Sequence, residues 1–229
     1  TPDRVIEWKA DFLKGREASD LRSAKTTVNS MIRNAKALFG KKLLKYLAAQ
    51  MDLPSPLPFD GVVMEKQPSA RYQSKMNAAA LLKDAEHELA PNYPESYKIF
   101  LLGLMCGLRR SEIDTLLWNS FDFENARLLV KRNEYTDLKS EDSAGYVDFE
   151  PGLGRIFYDF LQCSTSEFVV EANGAPLHRN VTTSYRAYRH FDHVVEWLRG
   201  KGISANKPLQ ELRKEFGSLI NVSHGIYAA

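Results

Sequence analysis

Apolar residues recur at helical spacing through most of the first fifty positions. In "RVIEWKADFLKGR", Val5, Trp8, Phe12 and Leu13 fall three and four residues apart, and Thr1 with Pro2 supplies a helix start. From Thr26 to Phe39, the residues Val28, Met31, Ile32, Ala35 and Leu38 form one stripe, with Arg33 and Lys36 off it. Gly40 interrupts, and "KLLKYLAAQM" resumes the helical pattern. "LPSPLPFDG" then places Pro54, Pro56 and Pro58 ahead of Gly61, which predicts a linker or domain edge. Beyond it, "SKMNAAALLKDAEHELA" predicts a helix with a Ser start, a second runs from about Glu95 to Met105, and "SEIDTLLW" forms a third.

The period changes between residues 121 and 150. "FDFENARLLVKR", "NEYTDLK" and "AGYVDFE" are short β-rich runs separated by "EN" and "SEDS", which predicts a small antiparallel meander. "RIFYDFL" returns to helix, and "SYRAYRHFDHVVEWLRGKG" predicts a long aromatic helix stopped by Gly200 and Gly202. The last clear helix is "PLQELRKEFGSLI", with Pro208 in its first turn and Leu209, Leu212, Phe216 and Leu219 on its buried side. The expected fold is mainly α with one small antiparallel β-sheet.

Composition bounds the function loosely. The 229 residues suit one large or two small domains, and 44% hydrophobic with 26% charged residues is ordinary for a globular protein. A net charge of +2, from 31 basic and 29 acidic residues, names no partner. Its distribution says more. Between Leu21 and Gln50 lie Arg22, Lys25, Arg33, Lys36, Lys41, Lys42 and Lys45, with no Asp or Glu among them. That is a candidate polyanion footprint, and equally a solvated helix face. Cys106 and Cys163 read as reduced, isolated thiols, neither with a Cys or His at metal-ligand spacing, and His190 and His193 share a helical face without a third ligand, so no metal is expected. No apolar run approaches membrane-spanning length. The chain opens on Thr-Pro and ends mid-pattern on "GIYAA", so a fragment is expected.

Polar residues that break local rules supply the chemistry. Arg109 and Arg110 stand where the apolar run "IFLLGLMC" meets "IDTLLW". A guanidinium at such a junction keeps its charge and needs an anion or a good acceptor set. Lys139 lies between two expected strands, and Arg213 sits beside the buried stripe of the last helix. Converging, these three cations form an anion pocket suited to a phosphate. Taken singly, each also reads as a surface salt bridge.

"GLRRSEIDTLLW", then a hairpin containing "TDLKSEDSAGYVDF", then "PLQELRKEFGSLI" followed by "HGI", resembles the tyrosine recombinase (phage integrase) family across the whole chain. The resemblance implies a helical core-binding domain over residues 1–62, a linker over 63–70 and a catalytic domain over 71–229 that is incomplete at its C-terminus. It implies site-specific cleavage and rejoining of duplex DNA through a 3′-phosphotyrosyl intermediate, with no cofactor. Arg109 and Arg213 would hold the scissile phosphate and Lys139 would protonate the leaving oxygen. Gln210 stands where the family has His in His-x-Leu-Arg, and Lys214 stands where a second His is usual. Glu112 would steady Arg109. The nucleophilic tyrosine is expected outside this chain, since Tyr227 comes too early; His224, His87, His178, His190 and His193 match no catalytic position.

The resemblance further implies that Arg22, Lys25, Thr26, Arg33, Lys36, Lys41 and Lys42 contact DNA. Thr26, with Thr27 and Asn29, also reads as a helix cap. A cytoplasmic, nucleoid-associated prokaryotic protein is expected, tetrameric on DNA when full length and monomeric without its C-terminal segment. The alternatives are an inactive DNA-binding relative with a regulatory role, a type IB topoisomerase, and a helical protein-interaction domain.

Overall fold

The structure is a computed structural model that describes residues 1–67, 76–135, 144–172 and 185–224. The chain forms two compact units, residues 1–71 and 72–229. Among the described residues no helix is long and apolar enough to cross a membrane.

The first unit holds α1 (Pro2–Leu13), α2 (Ala18–Ala37) and α3 (Lys41–Ala48). Its core is small: Val28, Ile32 and Val62 are buried, with Val5, Phe12, Leu13, Phe59 and Met64 packed on them. The helix expected from Thr26 begins eight residues earlier, at Ala18. Thr26 and Thr27 therefore cap nothing; their hydroxyls donate to the carbonyls of Arg22 and Ser23 one turn back, at 3.0 and 3.1 Å. Met31 and Leu38 belong to the apolar stripe by spacing, yet Leu38 is 60% exposed, because the core is too narrow to cover the whole stripe.

Residues 63–67, at the start of the expected linker, are tied to this unit. Asn29 is buried in α2 and pairs with the backbone of Glu65 in both directions, accepting its N–H at 2.8 Å and donating to its carbonyl at 3.0 Å. A side-chain amide can thus replace a strand partner for an extended segment. The Glu65 carboxylate meets Lys9 at 2.9 Å and Lys25 at 3.5 Å.

The second unit is organised round α5 (Pro94–Met105), whose residues Ser96 to Leu104 are all buried. A helix apolar on every side must be covered on every side. α4 (Ala78–Glu88), α8 (Tyr188–Gly200) and α9 (Pro208–His224) do so. The N-cap of α4 is Asn77, whose side chain accepts the N–H of Ala80 at 3.1 Å; the expected Ser start, Ser74, lies outside the described residues. α9 packs close to α5 at Gly103, where an added Cβ would stand 3.2 Å from Leu212 Cδ1. Leu212 is fully buried, whereas Leu219 is exposed, contrary to the even stripe expected there.

"SEIDTLLW" forms less helix than its spacing predicts. α6 spans only Arg110–Asp114 and is followed by a 3₁₀ turn, Trp118–Ser120. Tertiary bonds claim the rest: Trp118 N–H donates to the Glu167 carbonyl at 3.0 Å, and Asn133 donates to the Thr115 carbonyl at 2.9 Å. The meander is β1 (Phe121–Asp122), β2 (Arg127–Val130) and β3 (Gly145–Asp148), antiparallel in that order, with Leu128 opposite Val147. Within "NEYTDLK", Asn133 to Tyr135 form no strand, and the remainder lies outside the described residues. α7 (Pro151–Cys163) packs Phe157 against Phe121, with ring centroids 5.0 Å apart.

Lys9 hydrogen bonding, reinforced by Lys25, holds the Glu65 carboxyl below its ordinary range against the opposing effect of burial. A depressed carboxyl stabilises the fold above its unfolded pKa, and that contribution is lost as pH falls through the folded value. Glu65→Gln should therefore lower the urea midpoint of the chain at pH 7, and the gap from the unsubstituted protein should narrow as pH falls below the ordinary carboxyl range. A gap independent of pH would show that the ion pairs contribute nothing.

Candidate functional site

The site begins where α5 ends. Gly107 takes φ +63°, in the left-handed region that favours glycine, and turns the chain so that Arg109 becomes the N-cap residue of α6. Glu112, in the first turn of α6, reaches back. Its Oε2 accepts the backbone N–H of Arg109 at 2.7 Å, and its Oε1 accepts Nη1 of the Arg109 guanidinium at 2.6 Å. One carboxylate thereby caps the helix and fixes the arginine that precedes it.

Arg213 arrives from α9. Its Nη1 lies 3.8 Å from Glu112 Oε2 and donates a short hydrogen bond to the carbonyl of Gly107. Burial lowers the affinity of the Arg213 guanidinium for its proton, the nearby charge of Arg109 lowers it further, and Glu112 opposes both. The two guanidinium groups are thus close enough to repel, with the buried Glu112 side chain (6% exposed) between them. Asp148 and Glu150 also line the space that these groups face. Arg109 and Arg213 remain 34% and 36% exposed and line a cavity of about 990 Å³. Its other walls come from the end of α5, the β3 residues Gly145 to Asp148, and Phe216 with Ile220 of α9.

Arg110 turns away. Its guanidinium lies 4.2 Å from the ring centroid of Tyr185 and 4.7 Å from that of Phe191, and it meets Asp192 at 3.5 Å. The adjacent arginines therefore do different work: Arg109 faces the cavity and Arg110 fastens α6 to α8.

The remaining expected residues are dispersed. Gln210 is exposed in the first turn of α9 and is not among the cavity-lining residues. Lys214 also lies off the cavity and bonds Glu211 at 2.6 Å. Lys139, Tyr227 and His178 lie outside the described residues. His193 Nδ1 bonds the Ser96 hydroxyl at 3.0 Å while its ring packs on Tyr93, a structural arrangement. Cys106 lines the cavity as a thiol, pushed up to about 12 by burial, so it offers no thiolate nucleophile at neutral pH. Among the described residues no group of His, Cys, Asp or Glu could hold a metal ion.

In the first unit, Arg22, Lys25, Thr26, Arg33 and Lys36 share one face of α2 through spacings of three, four and seven residues. Arg22, Arg33 and Lys36 are exposed, as are Lys41 and Lys42 in the first turn of α3. Lys25 is half-buried and leans towards Glu65, and the Thr26 hydroxyl accepts from Gln67 Nε2 at 3.0 Å. These last two are occupied within the unit.

Sequence reasoning overlooked Gly107. It supplies the carbonyl that orients Arg213, and it makes room for Phe216: an added Cβ would fall 2.3 Å from Phe216 Cδ1. The glycine ahead of Leu-Arg was visible, but its partner on α9 was not.

No family model and no curated protein matches the chain. Solved structures do. The integrase of transposon Tn1549 in complex with transposon right-end DNA matches at TM-score 0.60 and 17% identity, over 98% of this chain and 73% of that chain. The same integrase in complex with a circular-intermediate DNA matches at TM-score 0.63 and 16% identity, over 98% and 73%. The chain therefore has the tyrosine-recombinase fold.

Gly107→Ala should cost about 2–4 kcal/mol, through the strained positive φ and overpacking against Phe216. Adding Phe216→Ala should return part of that loss in urea unfolding. Strictly additive costs would mean that the two residues do not meet.

Proposed function

We propose that this chain is the DNA-clamping and phosphate-activating body of a site-specific recombinase that cleaves and rejoins duplex DNA through a 3′-phosphotyrosyl link. The convergence of Arg109 and Arg213 on the buried Glu112, at the wall of one cavity, carries this reading. The likeness in fold to a transposon integrase solved with DNA supports it.

Attack on a phosphodiester gathers negative charge on the non-bridging oxygens. Guanidinium forks match those oxygens, and they stabilise the charge most when already fixed in a dry setting. Glu112 fixes them here. In the step proposed, a tyrosine oxygen forms a bond to phosphorus as the bond from phosphorus to the 5′-oxygen breaks. The phenol gives its proton to water, and Lys139 donates one to the departing oxygen. The ester energy is kept in the new bond, so no cofactor is consumed. Gln210, one turn before Arg213, would donate a hydrogen bond to a phosphate oxygen and cannot shuttle protons as histidine does. Its position off the cavity lining favours a second reading, an inactive relative that binds DNA through the same surfaces.

The exposed cations of α2 and α3 would neutralise phosphates along the duplex, giving affinity without sequence preference. A full-length protein of this kind would act as a tetramer on two duplexes in the nucleoid of a prokaryotic cell.

In the full-length protein, Arg109→Ala and Arg213→Ala should each slow covalent attachment to DNA by about 100-fold or more while leaving binding detectable. Undiminished attachment in either variant would overturn the active-site assignment, and attachment absent from the unsubstituted protein would favour the binding-only relative. Arg33→Ala and Lys36→Ala should each reduce the slope of log K against log salt by about 0.9. An unchanged slope in both would remove this face from the DNA interface.

A further inference from the structure

α6 is five residues long, too short to hold itself as a helix, because one turn costs more backbone entropy than its few hydrogen bonds return. Its position must be imposed from outside. At its N-terminal end stand Arg109 and Glu112. At its C-terminal end the buried Asp114 is gripped by a segment that leads into α8. Its carboxylate accepts the backbone N–H of Arg186 at 2.9 Å and that of Ala187 at 2.8 Å. Its carbonyl accepts twice from the Arg186 guanidinium, from Nε at 3.2 Å and from Nη2 at 3.1 Å. Nη2 also donates a short bond to the Val170 carbonyl, and the guanidinium lies 4.0 Å from the Phe168 ring centroid.

These bonds join segments 72 and 73 positions apart in sequence. Tyr185 and Phe191, flanking Arg186, are the rings on which Arg110 stacks, so residues 185–191 hold both ends of α6. The same segment runs through α8 towards α9, which carries Arg213. Both cavity arginines are thus referred to one body. Lysine in place of Arg186 could serve only part of this arrangement, because a single ammonium lacks the planar fork that reaches two carbonyls and stacks on a ring.

We propose that Arg186, acting through Asp114, is a positioning residue that sets the Arg109–Glu112 pair against the scissile phosphate. This rests on the recombinase reading. A displacement of about 1 Å at a reacting group costs on the order of 100-fold in rate. In the full-length protein, Arg186→Gln and the isosteric Asp114→Asn should therefore slow covalent attachment at saturating DNA by about 100-fold, with DNA affinity unchanged. Arg186→Lys should restore part of the rate.

The decisive readout is a substrate carrying a methylphosphonate at the scissile position. It lacks the charged non-bridging oxygen that Arg109 would serve, so the need for a well-placed guanidinium falls. The defects of Arg186→Gln and Asp114→Asn should shrink on it, in parallel with that of Arg109→Ala. Equal defects on both substrates, or full rates on the ordinary one, would overturn the positioning role. Because the comparison is a ratio within one variant, Asp114→Asn carries it if Arg186→Gln folds poorly. Loss of attachment in Arg109→Ala with none in Arg186→Gln or Asp114→Asn would sink this inference alone. Full attachment by Arg109→Ala would sink the recombinase reading and this inference together.

Discussion

The buried carboxylate of Glu112 is the constraint to which the second unit answers. A desolvated anion is tolerated only when paired and fully hydrogen-bonded, and removing its partners costs about 3–5 kcal/mol. Glu112 satisfies the requirement with the N–H and guanidinium of Arg109 and with the charge of Arg213. The dependence runs both ways. Two guanidinium groups brought together repel, and burial together with the charge of Arg109 lowers the proton affinity of Arg213. Glu112 makes their proximity possible, because a carboxylate between two guanidinium groups offsets their repulsion.

The rest of the unit follows from keeping that arrangement in place. α5 is buried on all sides, so it is a rigid post from which Gly107 can launch a sharp turn. α9 must lie close to that post for Arg213 to reach the Gly107 carbonyl, and the absence of side chains at Gly103 and Gly107 permits it. Leu212 and Phe216, on either side of Arg213 in sequence, fill the space the glycines leave. The helix face that packs and the residue that acts are therefore neighbours, so side-chain packing sets the precision of the charge.

Much of this was legible in the chain. Among the described residues, hydrophobic period located most helices to within a few residues, because amphipathic and fully apolar helices leave strong signals. It failed at "SEIDTLLW", where bonds from Glu167 and Asn133 outweigh local propensity and stop α6 after Asp114. It placed the start of α2 late, because Ala18 to Lys25 carry few apolar residues to mark it. Arg109, Glu112 and Arg213 were found as oddities of pattern, charges standing beside buried stripes. Gly107 and Arg186 were not, since their work consists of contacts with residues more than fifty positions away. Gln210 and Lys214 were carried to the site by motif alone; neither is among the residues that line the cavity, and Lys214 bonds Glu211.

The two groups of cations differ in a way that suits different tasks. Arg22, Arg33, Lys36, Lys41 and Lys42 stand in water, where salt screens them and each contact exchanges one set of counterions for another. Their attraction is long in reach, cheap to make and indifferent to exact placement. Arg109 and Arg213 are half sunk beside a buried carboxylate, where screening is weaker and geometry is fixed by hydrogen bonds. Their attraction is short in reach and sensitive to displacement, which is what stabilising a transient charge requires. The loose cations and the fixed ones stand in separate units, and the difference is physical. Side chains free in water keep their rotamer freedom, whereas two guanidinium groups are held in register only by a paired, partly buried setting.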